Sequence, residues 1–148
     1  MKNQRMLDEL TELMRIDVSS GQEMEIADCL AAKLEQMGFS ITRDEAGATF
    51  GGVCGNVLAV REGERDSVVC FCSHMDRVPG GIGIKPVEED GILRSSGDTI
   101  LAADDLSGVA AILEGVRQAI ESGKALPKLE ILFTVGEEAG LYLSLIHI

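Results

Sequence analysis

Three short segments of this sequence concentrate the side chains that could perform chemistry. We call them the histidine segment (74–76), the aspartate segment (104–105) and the glutamate segment (137–138); their ionisable residues are His74, Asp76, Asp104, Asp105, Glu137 and Glu138. Carboxylates gathered in one place repel each other unless a cation lies between them, and carboxylates with an imidazole are a donor set for divalent metals. The sequence therefore predicts a metal site, provided that the fold brings the three segments together.

The apolar runs before these segments indicate how the fold could do so. Residues 67–72, 99–103 and 128–135 are runs typical of β-strands, and each ends shortly before one of the three segments. In an open α/β sheet, the C-terminal ends of strands gather along one edge, and ligands bind there. We therefore expect residues that are far apart in the sequence to converge at one edge of a sheet.

Helical patterns alternate with these strands. Ser20 and Glu23 have the spacing of a capping box, and Gly38 suits the position just after a helix. Helices are predicted over residues 4–15, from the Ser20 cap to about residue 37, and over 106–121; further strands are predicted over residues 39–43, 56–61 and 91–94. This alternation predicts an α/β layered fold.

Length and charge narrow the class of protein. The chain has 148 residues, which suits one domain with a sizeable core, and its formal net charge is −12. That charge argues against a nucleic-acid backbone or an anionic membrane surface as a partner, because like charges repel. The first residues lack the apolar core of a signal peptide, and no apolar run is long enough to span a membrane.

The four cysteines do not have the paired spacing of a structural zinc site; they are Cys29, Cys54, Cys70 and Cys72. Cys70 and Cys72 lie two apart in a predicted strand and therefore share a face. We interpret them as small core residues, with metal or redox roles as the alternatives. Reduced thiols are typical of cytosolic proteins, so a cytoplasmic location is expected.

Each segment also has a plainer interpretation when it is taken alone. The histidine segment could be a surface pair, the aspartate segment could cap the helix that follows, and the glutamate segment could be a solvated turn. In the aspartate segment, one residue could cap the helix while the other binds metal. In the glutamate segment, one carboxylate could hold an ion while the other takes a proton from water. Three such segments in an α/β pattern together favour one shared metal site.

The motifs in order resemble a known family. They are Ser-His-Met-Asp-Arg-Val-Pro at 73–79, Ala-Asp-Asp at 103–105 with Gly108, and Gly-Glu-Glu at 136–138. They are similar to those of the co-catalytic zinc exopeptidases, which include peptidase T, aminoacylase and succinyl-diaminopimelate desuccinylase. The resemblance is greatest to peptidase T and covers residues 4–142. It implies a three-layer α/β/α catalytic domain, here truncated and without its lid domain.

The resemblance also implies a role for each site residue. Two divalent metal ions, zinc by family expectation, would be held by His74, Asp104 and Glu138, with Asp104 bridging the ions. Asp76 would orient His74, and Glu137 would act as general base and acid. The implied reaction is hydrolysis of an amide bond in a small peptide or an N-acyl amino acid.

What the family has and this sequence lacks leads to further expectations. The family has a further acidic ligand and a distant histidine, and neither is found after Glu138. The one histidine there, His147, lies in the segment 143–148, which we interpret as a non-native tail. Residues 1–142 are then the N-terminal part of a catalytic domain, and this fragment would be inactive. Its parent could dimerise through the lid domain. The alternatives are a non-catalytic metal-binding or interaction domain on the same scaffold, or an unrelated α/β domain.

Overall fold

The computed structural model describes residues 4–140. These residues form a four-stranded sheet with helices packed on it, and a separate two-stranded hairpin. The expectation of a non-native tail at 143–148 concerns residues outside this range. The predicted α/β class is confirmed. In chain order the elements are α1 (Gln4–Met14), α2 (Met24–Gln36), β1 (Ser40–Arg43), β2 (Val57–Arg61), β3 (Arg65–His74), β4 (Pro86–Glu89), β5 (Ile92–Ser95), α3 (Ala103–Glu121) and β6 (Pro127–Thr134).

The sheet is mixed, with strand order β1-β2-β6-β3. β2 pairs with β1 and β6 in antiparallel fashion, whereas β3 and β6 are parallel and are joined through α3. The parallel register sets His74 opposite Thr134. Because parallel strands end at the same edge, the histidine segment and the glutamate segment leave the sheet side by side, as the sequence predicts.

One face of the sheet and all three helices build a single core. The inward side chains of β2 and β6 alternate with outward ones, as a strand requires, and the inward ones are Val57, Ala59, Leu129, Ile131 and Phe133. Leu13, Leu30 and Leu113 represent α1, α2 and α3 in the same cluster, each 0% exposed. Each such side chain contributes about 1.5–3 kcal/mol on burial. This core holds the sheet edge in place.

The opposite face of the sheet is open in the described part of the chain. Val68 is 56% exposed and Leu58 is 36% exposed, although both are apolar strand residues. Cys70 and Cys72 also lie on this face and are exposed, so the interpretation of these two as core residues is wrong. The physical reason is their position: β3 is the last strand of the sheet, and the described helices cover the other face.

The predicted strand over residues 99–103 is also wrong. Ile100 and Leu101 lie in an irregular segment, and their side chains pack on the core without joining a sheet. Ala102 adopts a left-handed conformation with φ 58°, and α3 begins at the next residue. The aspartate segment therefore lies at the start of α3, where Asp104 and Asp105 have non-helical φ/ψ angles, and does not follow a strand end.

The predicted capping box is not formed. α2 begins at Met24 and has Glu23 at its N-cap position. The Ser20 hydroxyl instead donates to Oδ2 of Asp76 at 2.7 Å. The other predicted helices and strands are confirmed, with ends shifted by a few residues, and the strand at 91–94 is half of the β4–β5 hairpin. None of the described helices is both long and apolar enough to cross a membrane.

Candidate metal centre

The structure brings one residue from each of the three segments together. His74, Asp104 and Glu138 each offer a ligand atom, and these atoms all lie within 4.8 Å of one another. Nε2 of His74 lies 3.2 Å from Oδ1 of Asp104. His74 ends β3, Asp104 lies at the non-helical start of α3, and Glu138 lies in the turn after β6. A strand end, a helix start and a turn thus converge on a space that suits one cation.

Asp76 connects the imidazole to the turn that carries the two glutamates. Its Oδ1 lies 3.3 Å from Nδ1 of His74, and its side chain is 0% exposed. Its two oxygens accept hydrogen bonds from the backbone N–H groups of Glu137 and Glu138, both at 3.0 Å. Burial alone would raise the pKa of Asp76, but His74, Ser20 and the two N–H donors outweigh burial and lower it. Asp76 is therefore a buried carboxylate that stays ionised.

Several carboxylates and no other cationic group surround the imidazole of His74 in the described part of the cluster. Asp76 and then Asp104 raise the pKa of His74 to about 9, although burial opposes the shift. Burial raises the pKa of Glu138, and the neighbouring charges of Glu137, Asp104 and Asp76 add to the effect. The carboxylates cause the shift of His74, whereas they only add to the effect of burial on Glu138. A divalent cation fits this donor set, because it supplies positive charge and accepts both nitrogen and oxygen ligands.

The two adjacent aspartates face different neighbours. Asp104 has an 86% exposed side chain that reaches the imidazole of His74. Asp105 accepts hydrogen bonds from the Ser73 hydroxyl at 2.8 Å and from the Gly108 N–H at 3.0 Å. A Cβ on Gly108 would lie 2.5 Å from the oxygens of Asp105, so a larger residue at this position would force the carboxylate to move. Asp105 therefore satisfies the start of the helix, and Asp104 is left to contribute to the cluster.

Glu137 lies beside the three-ligand cluster. Its Oε2 is 4.0 Å from Nε2 of His74, and its side chain is 29% exposed. The carboxylate is thus close to the candidate metal position and still accessible to solvent. That position suits a group that exchanges a proton with water next to the metal.

Sequence reasoning missed two buried residues that support this turn. Asn56 accepts a hydrogen bond from the Val135 N–H through Oδ1 at 3.0 Å, and Glu23 accepts one from the Gly136 N–H through Oε1 at 3.3 Å. The sequence singles out Glu23, but its spacing from Ser20 favours a helix cap over a contact with this turn. For Asn56, which begins a predicted strand, the sequence offers no comparable signal.

A cleft of about 450 Å³ adjoins the cluster on the Glu138 side; its lining is Ser19, Ser20, Arg77, Pro79, Gly80, Ile82, Glu138 and Ala139. Arg77 is 1% exposed, and its guanidinium donates to the carbonyl of Leu13 at 2.8 Å and to that of Gly81 at 3.1 Å. Its charge lies against the carbonyls at the C-terminus of α1, which attract cations. The cleft therefore combines apolar walls with a carboxylate end.

Comparison with known proteins agrees with this geometry. Residues 56–145 match peptidase family M28. The uncharacterized protein YqjE of Bacillus subtilis is 36% identical over 142 residues, which are 95% of this chain and 38% of that protein. The crystal structure of aminopeptidase PepT from Bacillus cereus matches with a TM-score of 0.88 and 36% identity, covering 93% of this chain and 37% of that one.

A tripeptidase from Staphylococcus aureus also matches with a TM-score of 0.88, at 34% identity, over 94% of this chain and 38% of that one. The chain thus spans less than two fifths of the length of these relatives. The sequence resemblance to peptidase T and the assignment to part of its α/β catalytic domain are confirmed. The chain belongs to peptidase family M28.

Proposed function

We propose that this chain contributes metal-binding residues of an exopeptidase that removes the N-terminal residue of small peptides. The observation that carries the proposal is the cluster of His74, Asp104 and Glu138, with Glu137 beside it. An aminopeptidase and a tripeptidase with the same arrangement of elements, at 34–36% identity, support a peptide as substrate. An N-acyl amino acid has the same type of amide bond and is the second substrate class to test.

His74, Asp104 and Glu138 would hold a divalent metal, and we propose zinc. Asp104 has the exposed carboxylate that could bridge to a second ion, since its two oxygens can each bind one metal. When bound, the metal polarises the scissile carbonyl and makes nearby water more acidic. Two ions need more donors than this cluster offers, so we propose that turnover requires ligands outside residues 4–140 and that the isolated chain is inactive.

The side chains of this chain have separable tasks in the proposed reaction. Asp76 keeps the imidazole of His74 oriented, because it holds the side opposite Asp104. Glu137 takes a proton from the attacking water and passes it to the amine nitrogen that leaves. The free Glu137 carboxylate also favours an enzyme over a non-catalytic binding domain, since a binding domain needs no free base beside its ligands.

We further propose a cytoplasmic location, since free cysteines are typical of cytosolic proteins. We also propose no nucleic-acid or membrane partner, since the net charge of −12 repels both phosphate backbones and anionic lipids. A homodimer of the longer protein through a lid domain is part of the same proposal. Neither point affects the test of the metal site.

Zinc titration by calorimetry on the chain and on its Asp104→Ala variant tests the proposal, with hydrolysis of a tripeptide and of an N-acyl amino acid followed in parallel. Asp98→Ala is the matched control, because Asp98 is an exposed acid a few residues earlier. We expect binding that Asp104→Ala weakens at least about tenfold and Asp98→Ala leaves unchanged. Equal binding by both variants would refute the metal site. Turnover by the isolated chain would refute the need for further ligands.

A further inference from the structure

Side chains from other parts of the fold hold four consecutive backbone N–H groups at the candidate site. The donors are residues 135–138, and the acceptors are Oδ1 of Asn56, Oε1 of Glu23 and both oxygens of Asp76. Such groups ordinarily pair with backbone carbonyls in helices and strands. Here the turn that carries both glutamates depends on three buried side chains for its position.

Glu23 is the least expected of the three acceptors. It is 0% exposed, and burial raises its pKa. It stands at the N-cap position of α2 but forms no side-chain cap hydrogen bond there. Its Oε1 instead accepts from the Gly21 N–H at 2.8 Å and from the Gly136 N–H at 3.3 Å. Burying a carboxylate costs free energy that a helix cap on the surface would avoid, so the contact with the turn needs its own explanation.

Gly136 is confined from a second side. Its φ is +68°, and a Cβ at this position would lie 2.6 Å from the ring of Phe50. Phe50 therefore limits movement of the turn in one direction, while Glu23 holds the N–H in another. Glu137 and Glu138 follow directly, so a shift of Gly136 moves both carboxylates relative to His74.

We infer that Glu23 is a positioning residue, which sets the turn 136–138 so that the carboxylate of Glu138 meets His74 and Asp104. The inference rests on the proposed function. Glu23 acts through the Gly136 N–H and contacts neither metal nor substrate. A residue that only stabilised α2 would change the free energy of unfolding without changing metal affinity in the folded chain.

Three substitutions of Glu23 separate these roles. Glu23→Gln keeps a carbonyl oxygen for the two N–H donors, Glu23→Leu removes the acceptor, and Glu23→Asp keeps the charge but is one methylene too short. Glu25→Leu is the matched control, because Glu25 is exposed in the first turn of the same helix. The readouts on the whole chain are amide hydrogen exchange at Gly136 and zinc affinity by calorimetry.

We expect Glu23→Leu and Glu23→Asp to accelerate exchange at Gly136 and to weaken zinc binding about tenfold, within the range for outer-shell partners of metal ligands. Glu23→Gln and Glu25→Leu should stay within about twofold of the wild type, because the acceptor at position 23 is kept. If Glu23→Leu fails to fold, Glu23→Asp decides the question.

Unchanged exchange at Gly136 in the folded Leu or Asp variant would overturn the inference. Faster exchange with unchanged zinc affinity would also overturn it, while the proposed metal site would stand. If the wild-type chain binds no zinc, the proposed metal site fails, and the exchange at Gly136 alone decides whether Glu23 holds the turn.

Discussion

The carboxylate of Asp76 contacts the imidazole of His74 at the end of β3, with Oδ1 of Asp76 3.3 Å from Nδ1 of His74. The same carboxylate also binds the turn of the two glutamates, so one buried side chain orients two of the three candidate ligands. We expect Asp76→Asn to weaken zinc affinity about 10- to 100-fold, because it removes the charge behind the imidazole. Calorimetry measures the change. Asp66→Asn, at an exposed position of the same strand, is the control and should have no effect.

Two glycines of α3 should respond in opposite directions to alanine. Gly108→Ala places a Cβ 2.5 Å from the oxygens of Asp105, which Ser73 also holds. We expect a loss of about 1–3 kcal/mol in the free energy of unfolding, since the Asp105 carboxylate must give up its contacts. Gly115→Ala meets open space and should gain about 0.5–1 kcal/mol from helix propensity alone. Urea unfolding measures both, and a gain for Gly108→Ala would contradict the geometry at the aspartate segment.

Acid should weaken the contact between α1 and α3. Hydrogen bonds from Arg5 lower the pKa of Glu114 from its ordinary 4.5 to about 2. A carboxyl whose pKa is lower in the folded state stabilises fully above its unfolded pKa and loses that contribution as the pH falls. The contribution of Glu114 should therefore decline between pH 4.5 and about 2.

Comparison of the free energy of unfolding of the wild type and of Arg5→Gln over this pH range measures that decline. The two curves should differ above pH 4.5 and converge toward pH 2. Arg15→Gln, an exposed residue just after the same helix, is the control. A constant difference at all pH values would show that Arg5 acts through packing and not through its charge.

The open sheet face should promote self-association. β3 has an unpaired edge in the described part of the chain and carries the apolar side chain of Val68, which is 56% exposed. Such edges pair with other chains, and a lysine on them opposes that pairing. We expect Val68→Lys to lower the apparent mass of the chain in sedimentation experiments. Val53→Lys adds the same charge at a similarly exposed loop position and should leave the mass unchanged.

The sequence predicts the strand ends at this site better than it predicts the other residues that position the site. The runs before His74 and Glu137 end at one edge because β3 and β6 are parallel, and the alternation of helices with strands predicts such a parallel pair. Asp104, in contrast, reaches the cluster from a helix start. The apolar side chains before it pack on the core without pairing in a sheet, although their pattern is that of a strand. Periodicity cannot distinguish these two kinds of burial.

The buried polar contacts were not predictable for a different reason. Glu23 and Gly136 lie 113 residues apart, and Ser20 and Asp76 lie 56 apart. Local spacing assigns Ser20 and Glu23 to a helix cap, because a cap is the commonest use of such residues near a helix start. Only the tertiary fold brings their acceptors and donors together. The cysteines of β3 illustrate the same point, since a strand pattern says which residues share a face but not whether that face is covered.

The reactivity of the exposed cysteines of β3 can report whether the open face of the sheet is covered. Cys70 and Cys72 are exposed there, whereas Cys29 and Cys54 are half-buried, and burial raises the pKa of Cys54 to about 11. Burial also raises the pKa of Cys72, so access and not thiolate fraction separates Cys72 from the half-buried thiols. An alkylating reagent should therefore modify Cys70 and Cys72 before the others because these two are exposed. In a protein in which a further layer of structure covers this face, the same two thiols would become protected. The order of alkylation thus distinguishes an open two-layer assembly from a closed three-layer one without a structure determination.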